Sequence, residues 1–238
     1  KISTIQKIKI PLPPLEIQEQ IVSELESYQK IIDGAKQVVE NYKPTFKIDP
    51  EWEKIELGKV AKLYGGGTPS KKEENYWSGN IHWLAARHFT ADFLESSNER
   101  ITKEGLKNSS TNIIPANSVL LVSRVSLGKI AFSLRDFAIN QDITGICTKN
   151  SNLLENMFIF YALKIFMQDI VKAGQGLGVK GVTRHFIEQF KIPIPSIEVQ
   201  RKIINQLEKE RKIIDSNKGL ITIFENKIKD KIAEVWGE

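Results

Sequence analysis

The sequence predicts an α+β protein in which one globular domain is flanked by two long helices. Three observations support this fold class: a duplicated segment, a heptad spacing of apolar residues in each copy, and a central region of different composition. The duplicated segment covers residues 5–33 and returns at residues 187–215, an offset of 182 without a gap, with 14 of 29 positions identical. A period this long indicates a duplicated module and excludes a solenoid array.

The first copy predicts a strand and then a long helix. Region 1–14 has the alternation of a terminal strand belonging to an upstream domain, and its prolines end sheet pairing. The helix is expected within region 15–48, where apolar residues follow the 4-4-3-4 spacing of a coiled coil. These seam residues are Ile17, Ile21, Leu25, Tyr28, Ile32, Ala35, Val39 and Tyr42. The alternative is a single amphipathic helix that packs on a globular core.

The second copy predicts an equivalent helix in region 196–238. Its seam continues for longer than that of the first copy, which favours a rod rather than a short surface helix. The seam residues are Val199, Ile203, Leu207, Glu210, Ile214, Asn217, Ile221, Phe224, Ile228, Ile232 and Val235.

Region 49–195 between the two helices predicts the globular domain. Residues 51–186 hold three of the four tryptophans and 12 of the 15 glycines, and they contain no heptads. Alternating and apolar runs predict strands at Ile55–Tyr64, Ile81–Ala86, Ser118–Val125, Lys129–Leu134 and Ile143–Thr148. Helices are expected at Asn152–Ala173 and Thr183–Phe190.

Composition and motifs argue against catalysis and against a membrane protein. The chain is 41% hydrophobic and 26% charged, and no apolar run is long enough to cross a bilayer. A single cysteine, Cys147, excludes an internal disulfide and suits a reducing compartment such as the cytoplasm. The three histidines lack metal-ligand spacing, and no nucleophile elbow, Walker loop or methyltransferase motif is present. We therefore expect no enzyme activity, no cofactor and no metal.

The distribution of charge favours binding of a polyanion. The net charge is only +5, but residues 105–135 and 171–185 carry basic residues without a single acid. The alternative is a solvated face with acids nearby in space. Glycines 65–67 would allow close approach to phosphates, and the donors after them are Thr68, Ser70, Lys71 and Lys72.

Two further segments complete the candidate binding surface. The predicted hairpin over 118–134 presents Ser123, Arg124 and Ser126 on a polar face. Asn140 and Gln141 have side chains that can pair with an adenine edge, although they could equally cap a turn. The glycine-rich segment 173–185 adds Gln175, Lys180, Thr183 and Arg184.

With these residues in view, the chain resembles the specificity (S) subunit of type I restriction–modification enzymes. The resemblance rests on LGKVAKLYGGGTPSKKEENYWSGNIHWL (57–84), SVLLVSRVSLGKIAFS (118–133), AINQDIT (138–144) and GQGLGVKGVTR (174–184), together with the duplicated proline-and-helix module. Individually these motifs are weak, but their order is specific.

The resemblance implies a DNA target-recognition domain flanked by helices that pair antiparallel and set the distance between two DNA half-sites. Family members have two such domains, whereas region 49–195 supplies one, so a half-size or truncated subunit is expected. The implied partners are double-stranded DNA, methyltransferase (M) subunits and, through the complex, a restriction (R) subunit. The helices could pair within one chain or across a homodimer. The rival hypotheses are a coiled-coil adaptor that binds protein and a stand-alone restriction enzyme.

Overall fold

A computed structural model describes residues 12–175 and 181–236, without the side chains of residues 175 and 236. Most of the strand predicted before the first helix falls outside the described residues. The described part divides into two compact units. We call residues 12–43 with 208–236 the helical unit and residues 44–207 the globular unit.

Short strands and short helices lie between two long helices, and the strands from Asn112 to Thr148 follow one another without an intervening helix. The strands are β1 Lys54–Glu56, β2 Ala61–Tyr64, β3 Trp77–Leu84, β4 Phe93–Leu94, β5 Arg100–Ile101, β6 Asn112–Ile114, β7 Val119–Val122, β8 Ile130–Ser133, β9 Phe137–Ile139, β10 Ile143–Thr148 and β11 Lys191–Pro193. The helices are α1 Leu15–Asn41, α2 Leu57–Val60, α3 Lys103–Lys107, α4 Asn156–Ile165, α5 Met167–Gln175, α6 Arg184–Gln189 and α7 Ile197–Trp236. This mixture of helix and sheet agrees with the predicted α+β class.

A five-stranded sheet in the order β2-β10-β7-β8-β4 forms the centre of the globular unit. A four-stranded sheet, β5-β3-β9-β6, and a two-stranded pair, β1-β11, complete the strands. Strand β7 reads VLLV because both of its faces are buried. Val119 and Leu121 pack with the helical side of the core, including Phe158 and Phe160. Leu120 and Val122 belong to a second cluster on the opposite face.

The start of α7 is part of the core of the globular unit. Leu207 is 1% exposed and belongs to the largest buried cluster, against which Ile203 and Ile204 also pack. The buried Gln200 side chain donates to the Leu153 carbonyl at 2.8 Å and accepts from the Glu155 amide at 3.0 Å. The first residues of this helix therefore follow the alternative considered above, an amphipathic helix on a globular core.

Three predicted elements differ from the structure. The strand expected at Ile81–Ala86 begins earlier, at Trp77, and ends at Leu84. The strand expected over Ile55–Tyr64 is interrupted by α2, because Leu57 turns into the core and its amide donates to the Phe190 carbonyl at 2.9 Å. The long helix expected over Asn152–Ala173 is two helices with a break at Phe166, and it starts four residues later. The Asn156 side chain accepts from the Thr148 amide at 2.6 Å, so it ties the start of α4 to the end of β10.

In the helical unit, α1 and α7 run antiparallel. Tyr28 lies against Phe224 with ring centroids 5.3 Å apart, and the Tyr42 hydroxyl donates to Glu210 at 3.0 Å. Near the other end, Lys231 pairs with Glu24 at 3.2 Å. The seam residues of α1 are buried or half-buried apart from Ile17, and in the helical unit those of α7 follow the same rule apart from Ile232.

The antiparallel contacts have an internal two-fold relation. Shifting Tyr28 by the repeat offset gives Glu210, and shifting Tyr42 gives Phe224, so the two contacts Tyr28–Phe224 and Tyr42–Glu210 are equivalent by duplication. An approximate dyad therefore passes between Ala35 and the residue at its own offset, Asn217.

Candidate nucleic-acid interface

Three connections meet at one edge of the five-stranded sheet. The ladder sets Gly145 opposite Tyr64, Ile143 opposite Val122, and Leu121 opposite Ile130. The loop that leaves β2, the hairpin tip between β7 and β8, and the turn before β10 therefore all emerge at the same end. These connections contain most of the residues that the sequence nominates for binding. We call loop 65–72, tip 123–129 and turn 140–142 the three-loop edge.

Two glycines of loop 65–72 lie too close to neighbouring residues to carry a side chain. A Cβ at Gly66 would lie 2.1 Å from the Ile139 carbonyl oxygen, and one at Gly67 would meet the Ser110 hydroxyl at 2.1 Å. The Gly67 amide donates to the Ile139 carbonyl at 2.9 Å, and its carbonyl accepts from the Trp83 indole at 3.1 Å. These two glycines thus fix the loop to the globular unit, and the side chains after them supply its exposed groups.

The structure brings two sequence-predicted residues from different segments into contact. The Thr68 hydroxyl donates to the side-chain oxygen of Gln141 at 2.7 Å, and both residues are exposed. Ser70 accepts from the Lys72 amide at 3.3 Å, which holds the local turn. Lys71 and Lys72 are exposed and have no ion-pair partner within ranges 12–175 and 181–236. Loop 65–72 and turn 140–142 therefore present donors on one surface.

Asn140 serves the turn in this structure. The residue is 5% exposed; its side chain donates to the Asp142 carboxylate at 3.0 Å and accepts from the Asp142 amide at 3.1 Å. The alternative reading from sequence, a turn cap, accounts for this side chain. Ser123 is also buried: its hydroxyl donates to the Asp142 carbonyl at 3.3 Å and accepts from Thr144 at 3.2 Å. Both residues shape the three-loop edge from beneath.

The hairpin tip projects a strained and exposed tripeptide. Val125 has φ 29° and Ser126 has φ 75°, a left-handed conformation that a β-branched residue rarely adopts. The Arg124 side chain is 60% exposed, with its Nε 3.9 Å from the Asp142 carboxylate, too far for a direct hydrogen bond. Val125 is 62% exposed. A cation and an apolar side chain thus stand together at the tip.

The glycine-rich segment meets the tip through backbone pairing. Arg124 and Gly181 form an antiparallel bridge, and the Val182 amide donates to the Ser123 carbonyl at 2.8 Å. The Thr183 hydroxyl accepts from the Phe186 amide at 3.1 Å, so it caps α6. Arg184 donates to Glu188 at 3.0 Å and also to the Leu63 carbonyl. Lys180 and the side chain of Gln175 lie outside the described residues.

Positive charge is concentrated at the tip. Arg124 and Lys129 are exposed there, and the nearby acid, Asp142, is half-buried and engaged with Asn140. Lys71 and Lys72 are followed directly by Glu73 and Glu74, so loop 65–72 adds donors with less net charge. The surface therefore combines a positive field at the tip with neutral hydrogen-bonding groups beside it, which suits phosphate contact next to base contact.

Sequence reasoning missed a cleft beside loop 65–72. Its walls include Trp77, Asn80, Asn98 and Arg100, and its volume is about 550 Å³. The signal was hidden because β3 and β5 bring these residues together across some twenty positions of sequence. Trp77 is half-buried.

Burial shifts the titratable groups of the described core toward their neutral forms. Burial lowers the pKa of His82 and of His88, and burial raises the pKa of the Cys147 thiol. Across the two described ranges, no cluster of three or more His, Cys, Asp or Glu side chains is arranged to hold a metal ion. No helix in the part of the chain that the structure describes has the length and apolarity to cross a membrane.

Comparison with known proteins gives consistent matches. The family model "Type I restriction modification DNA specificity domain" matches residues 1–41 and 50–225. The specificity subunit of the Escherichia coli type I restriction enzyme EcoR124I/EcoR124II is 31% identical over 227 residues, which is 86% of this chain and 55% of that protein. The MjaIX specificity subunit of Methanocaldococcus jannaschii is 28% identical over 193 residues, covering 79% of this chain and 43% of that protein.

Solved structures show the same fold at lower identity. The HsdS subunit of Thermoanaerobacter tengcongensis aligns with a TM-score of 0.58 at 19% identity, covering 95% of this chain and 59% of that one. The S subunit of a type I restriction–modification system from M. genitalium gives 0.58 at 16% identity, covering 91% and 56%. The chain spans about half the length of the curated relatives that it matches.

Proposed function

Because the chain belongs to the type I restriction–modification specificity-subunit family, we propose that its globular unit reads one half of a bipartite DNA site. The observation that carries this proposal is the three-loop edge, where donors from separate segments share one exposed surface. Arg124 and Lys129 would contact phosphates, while Thr68, Ser70, Gln141 and Ser126 would lie near base edges. Methylation and cleavage would be supplied by other subunits, so the chain itself would be non-catalytic.

The two long helices would act as a spacer in the form of an antiparallel coiled coil. Their heptad seams and the equivalent contacts Tyr28–Phe224 and Tyr42–Glu210 support this role. Inserting one heptad beside Ala35 and another beside Asn217 keeps the seam and lengthens the pair by about 10 Å. In a reconstituted complex the unspecified DNA spacer should then grow by about three base pairs. A changed half-site with a constant spacer would contradict the ruler role.

The outer faces of the helices offer two equivalent docking surfaces for M subunits. Ile31 and Val38 on α1 are exposed, and so are the residues at the same repeat positions on α7, Ile213 and Leu220. Apolar residues that recur at matched exposed positions suit two copies of one partner, through which an R subunit would join.

Paired substitutions test the docking surfaces. Ile31→Asp with Val38→Asp should leave one bound M subunit per chain, and the further pair Ile213→Asp with Leu220→Asp should leave none, as measured by light scattering. Ile223→Asp is the matched control, because Ile223 is equally exposed but its equivalent is the polar Asn41. Full M binding by the fourfold variant would contradict the assignment.

A homodimer is the other arrangement that we propose to test. Leu12, Leu15 and Ile17 at the start of α1 are exposed, and a second copy could cover them. Two chains related by a two-fold axis would recognise a palindromic site. Sedimentation of the purified chain with and without M subunits distinguishes this arrangement from pairing of the helices within one chain.

Electrophoretic mobility shift over a range of salt concentrations tests the DNA-binding role. The chain should bind duplex DNA with a steep salt dependence, and Arg124→Ala should weaken binding and reduce the salt slope by about one. Lys229→Ala is the control, because Lys229 is an exposed cation on α7 in the helical unit. Binding that does not depend on salt, or no DNA binding in the presence of M subunits, would favour the protein-adaptor alternative.

A further inference from the structure

The cleft beside loop 65–72 is formed by an irregularity in sheet pairing. Between Trp77 and Ile81 the register of β3 against β5 shifts, so that both residues face Ile101. The extra residues form a bulge in which Ser78 has φ 63°. A Cβ at Gly79 would lie 2.3 Å from the Ile101 carbonyl oxygen, so only glycine fits there. A bulge of this kind redirects side chains, and here it turns Asn80 toward the cleft.

Trp77 forms a fixed wall of the cleft. Its indole N–H donates to the Ser70 carbonyl at 3.0 Å, and its ring meets Trp83 edge-on at a centroid distance of 5.3 Å. The first bond also ties the cleft to loop 65–72, which belongs to the three-loop edge. The cleft is therefore continuous with the proposed DNA surface through Lys71, which lines both.

Four polar side chains of the cleft have no partner among the described residues. Asn80, Asn98, Arg100 and Lys71 are exposed, and their side chains make no hydrogen bond or ion pair there. Glu99, the one acid in the lining, is engaged by Arg87. Elsewhere in the described globular unit, some asparagine side chains are bonded within the fold, and others, such as Asn205, are exposed without such a bond.

The cleft is distinguished by the grouping of its unbonded side chains around Trp77, since some other asparagines are used within the fold. Asn112 donates to the Gly65 carbonyl at 2.9 Å, and Asn156 donates to the Asn117 carbonyl at 2.7 Å. Two free amides and two free cations around one tryptophan therefore form a group that the fold itself does not use. Amides recognise base edges, cations contact phosphates, and an indole face packs against a sugar or base.

We propose that this cleft is a second DNA subsite that determines part of the half-site sequence. Arg100 and Lys71 hold the phosphate backbone, and Asn80 and Asn98 read base edges against the wall formed by Trp77. This inference rests on the proposed DNA-reading function and extends it to residues outside the three-loop edge.

Selection of binding sites from a random duplex library, with the chain reconstituted with M subunits, tests the subsite. Asn80→Ala with Asn98→Ala should reduce discrimination at one or two half-site positions by about 5- to 100-fold and leave the other positions unchanged. Arg100→Ala should weaken binding to all sequences and reduce the salt slope by about one. The controls are Asn205→Ala and Lys202→Ala, which alter exposed residues of α7.

The outcomes separate the subsite from the function as a whole. If the cleft variants keep the unaltered consensus and affinity while Arg124→Ala weakens binding, the subsite is overturned and the DNA-reading function stands. If the unaltered protein selects no consensus, the proposed function itself fails. Quenching of tryptophan fluorescence by DNA, and its reduction in Trp77→Phe, gives a second readout; unchanged quenching in that variant would count against the subsite. Near-ultraviolet circular dichroism verifies that each variant remains folded.

Discussion

The two copies of the duplicated module have the same local structure and different surroundings. In each copy, a glutamine at the start of the long helix donates to a proline carbonyl five residues earlier: Gln18 to Pro13 at 2.7 Å and Gln200 to Pro195 at 2.9 Å. Gln200 is fully buried and makes two further bonds to the globular unit. For Gln18, the residues that the structure describes supply no second partner.

The apolar residues that follow show the same contrast. Leu207 is buried in the globular core, whereas its equivalent Leu25 is only half-buried, and Ile204 packs on that core while its equivalent Val22 is exposed. Similar sequence thus fixes the helix start and its period, and the surroundings decide how much burial each residue gains. A duplicated motif therefore specifies a local conformation, but it does not specify which residues pack against that motif.

The largest effect should come from introducing a charge at the equivalent leucines. Leu207→Asp buries an unpaired carboxylate in the main core and should lower the free energy of unfolding by about 3–5 kcal/mol. Leu25→Asp should cost less than half as much, because the half-buried side chain can reach water. Urea unfolding of the two variants measures the difference. Equal losses would show that the two copies are equally covered in solution.

A smaller difference is expected at the equivalent glutamines. Gln200→Ala leaves the Glu155 amide and the Leu153 carbonyl without their side-chain partner, which should cost about 1–3 kcal/mol. Gln18→Ala removes one bond near solvent and should cost about 0.5 kcal/mol or less. The same unfolding experiment measures both. A large loss for Gln18→Ala would mean that another domain or chain covers the first copy in solution.

The smallest expected effect is a pH dependence of stability that only the first copy of the module should have. A hydrogen bond from Tyr28, together with Lys231, lowers the pKa of Glu24, whereas the equivalent residue is the non-titrating Gln206. A lowered carboxyl pKa gives stability that is present above the ordinary carboxyl range, near 4.3, and is lost as pH falls through the folded-state value. Glu24→Gln should therefore reduce the acid sensitivity of the helical unit, followed by circular dichroism between pH 6 and 3. The control, Gln206→Ala, should leave that dependence unchanged.

Much of the fold could be predicted from the sequence, because the patterns that specify its helices and strands are periodic and local. The heptad seams identified α1 and α7, and β10 was predicted with the bounds that it has in the structure. The prediction was wrong at Leu57–Val60, where an alternating pattern concealed a helical turn held by contact with Phe190. The conformation of this segment depends on a residue distant in sequence, so the local pattern of apolar residues does not reveal it.

The candidate interface was harder to predict from the sequence, because contacts between distant segments also determine it. The sequence predicted Asn140 as a binding residue because its amide can pair with a base edge. In the structure that amide donates to Asp142, two residues away, and holds the turn that was the alternative prediction. The cleft was not predicted, because Asn80 and Arg100 become neighbours only when a bulged strand pairs with a two-residue strand.

The dyad between Ala35 and Asn217 has a consequence for genetics. A codon change at any other seam position alters one end of the helix pair, and the equivalent end serves as an internal reference. Ala35 is 4% exposed, and a larger side chain there would separate the helices at their midpoint. Because the midpoint is equally far from both ends, a substitution at Ala35 would disturb the spacing of both ends, whereas a change at another seam position would disturb mainly the nearer end.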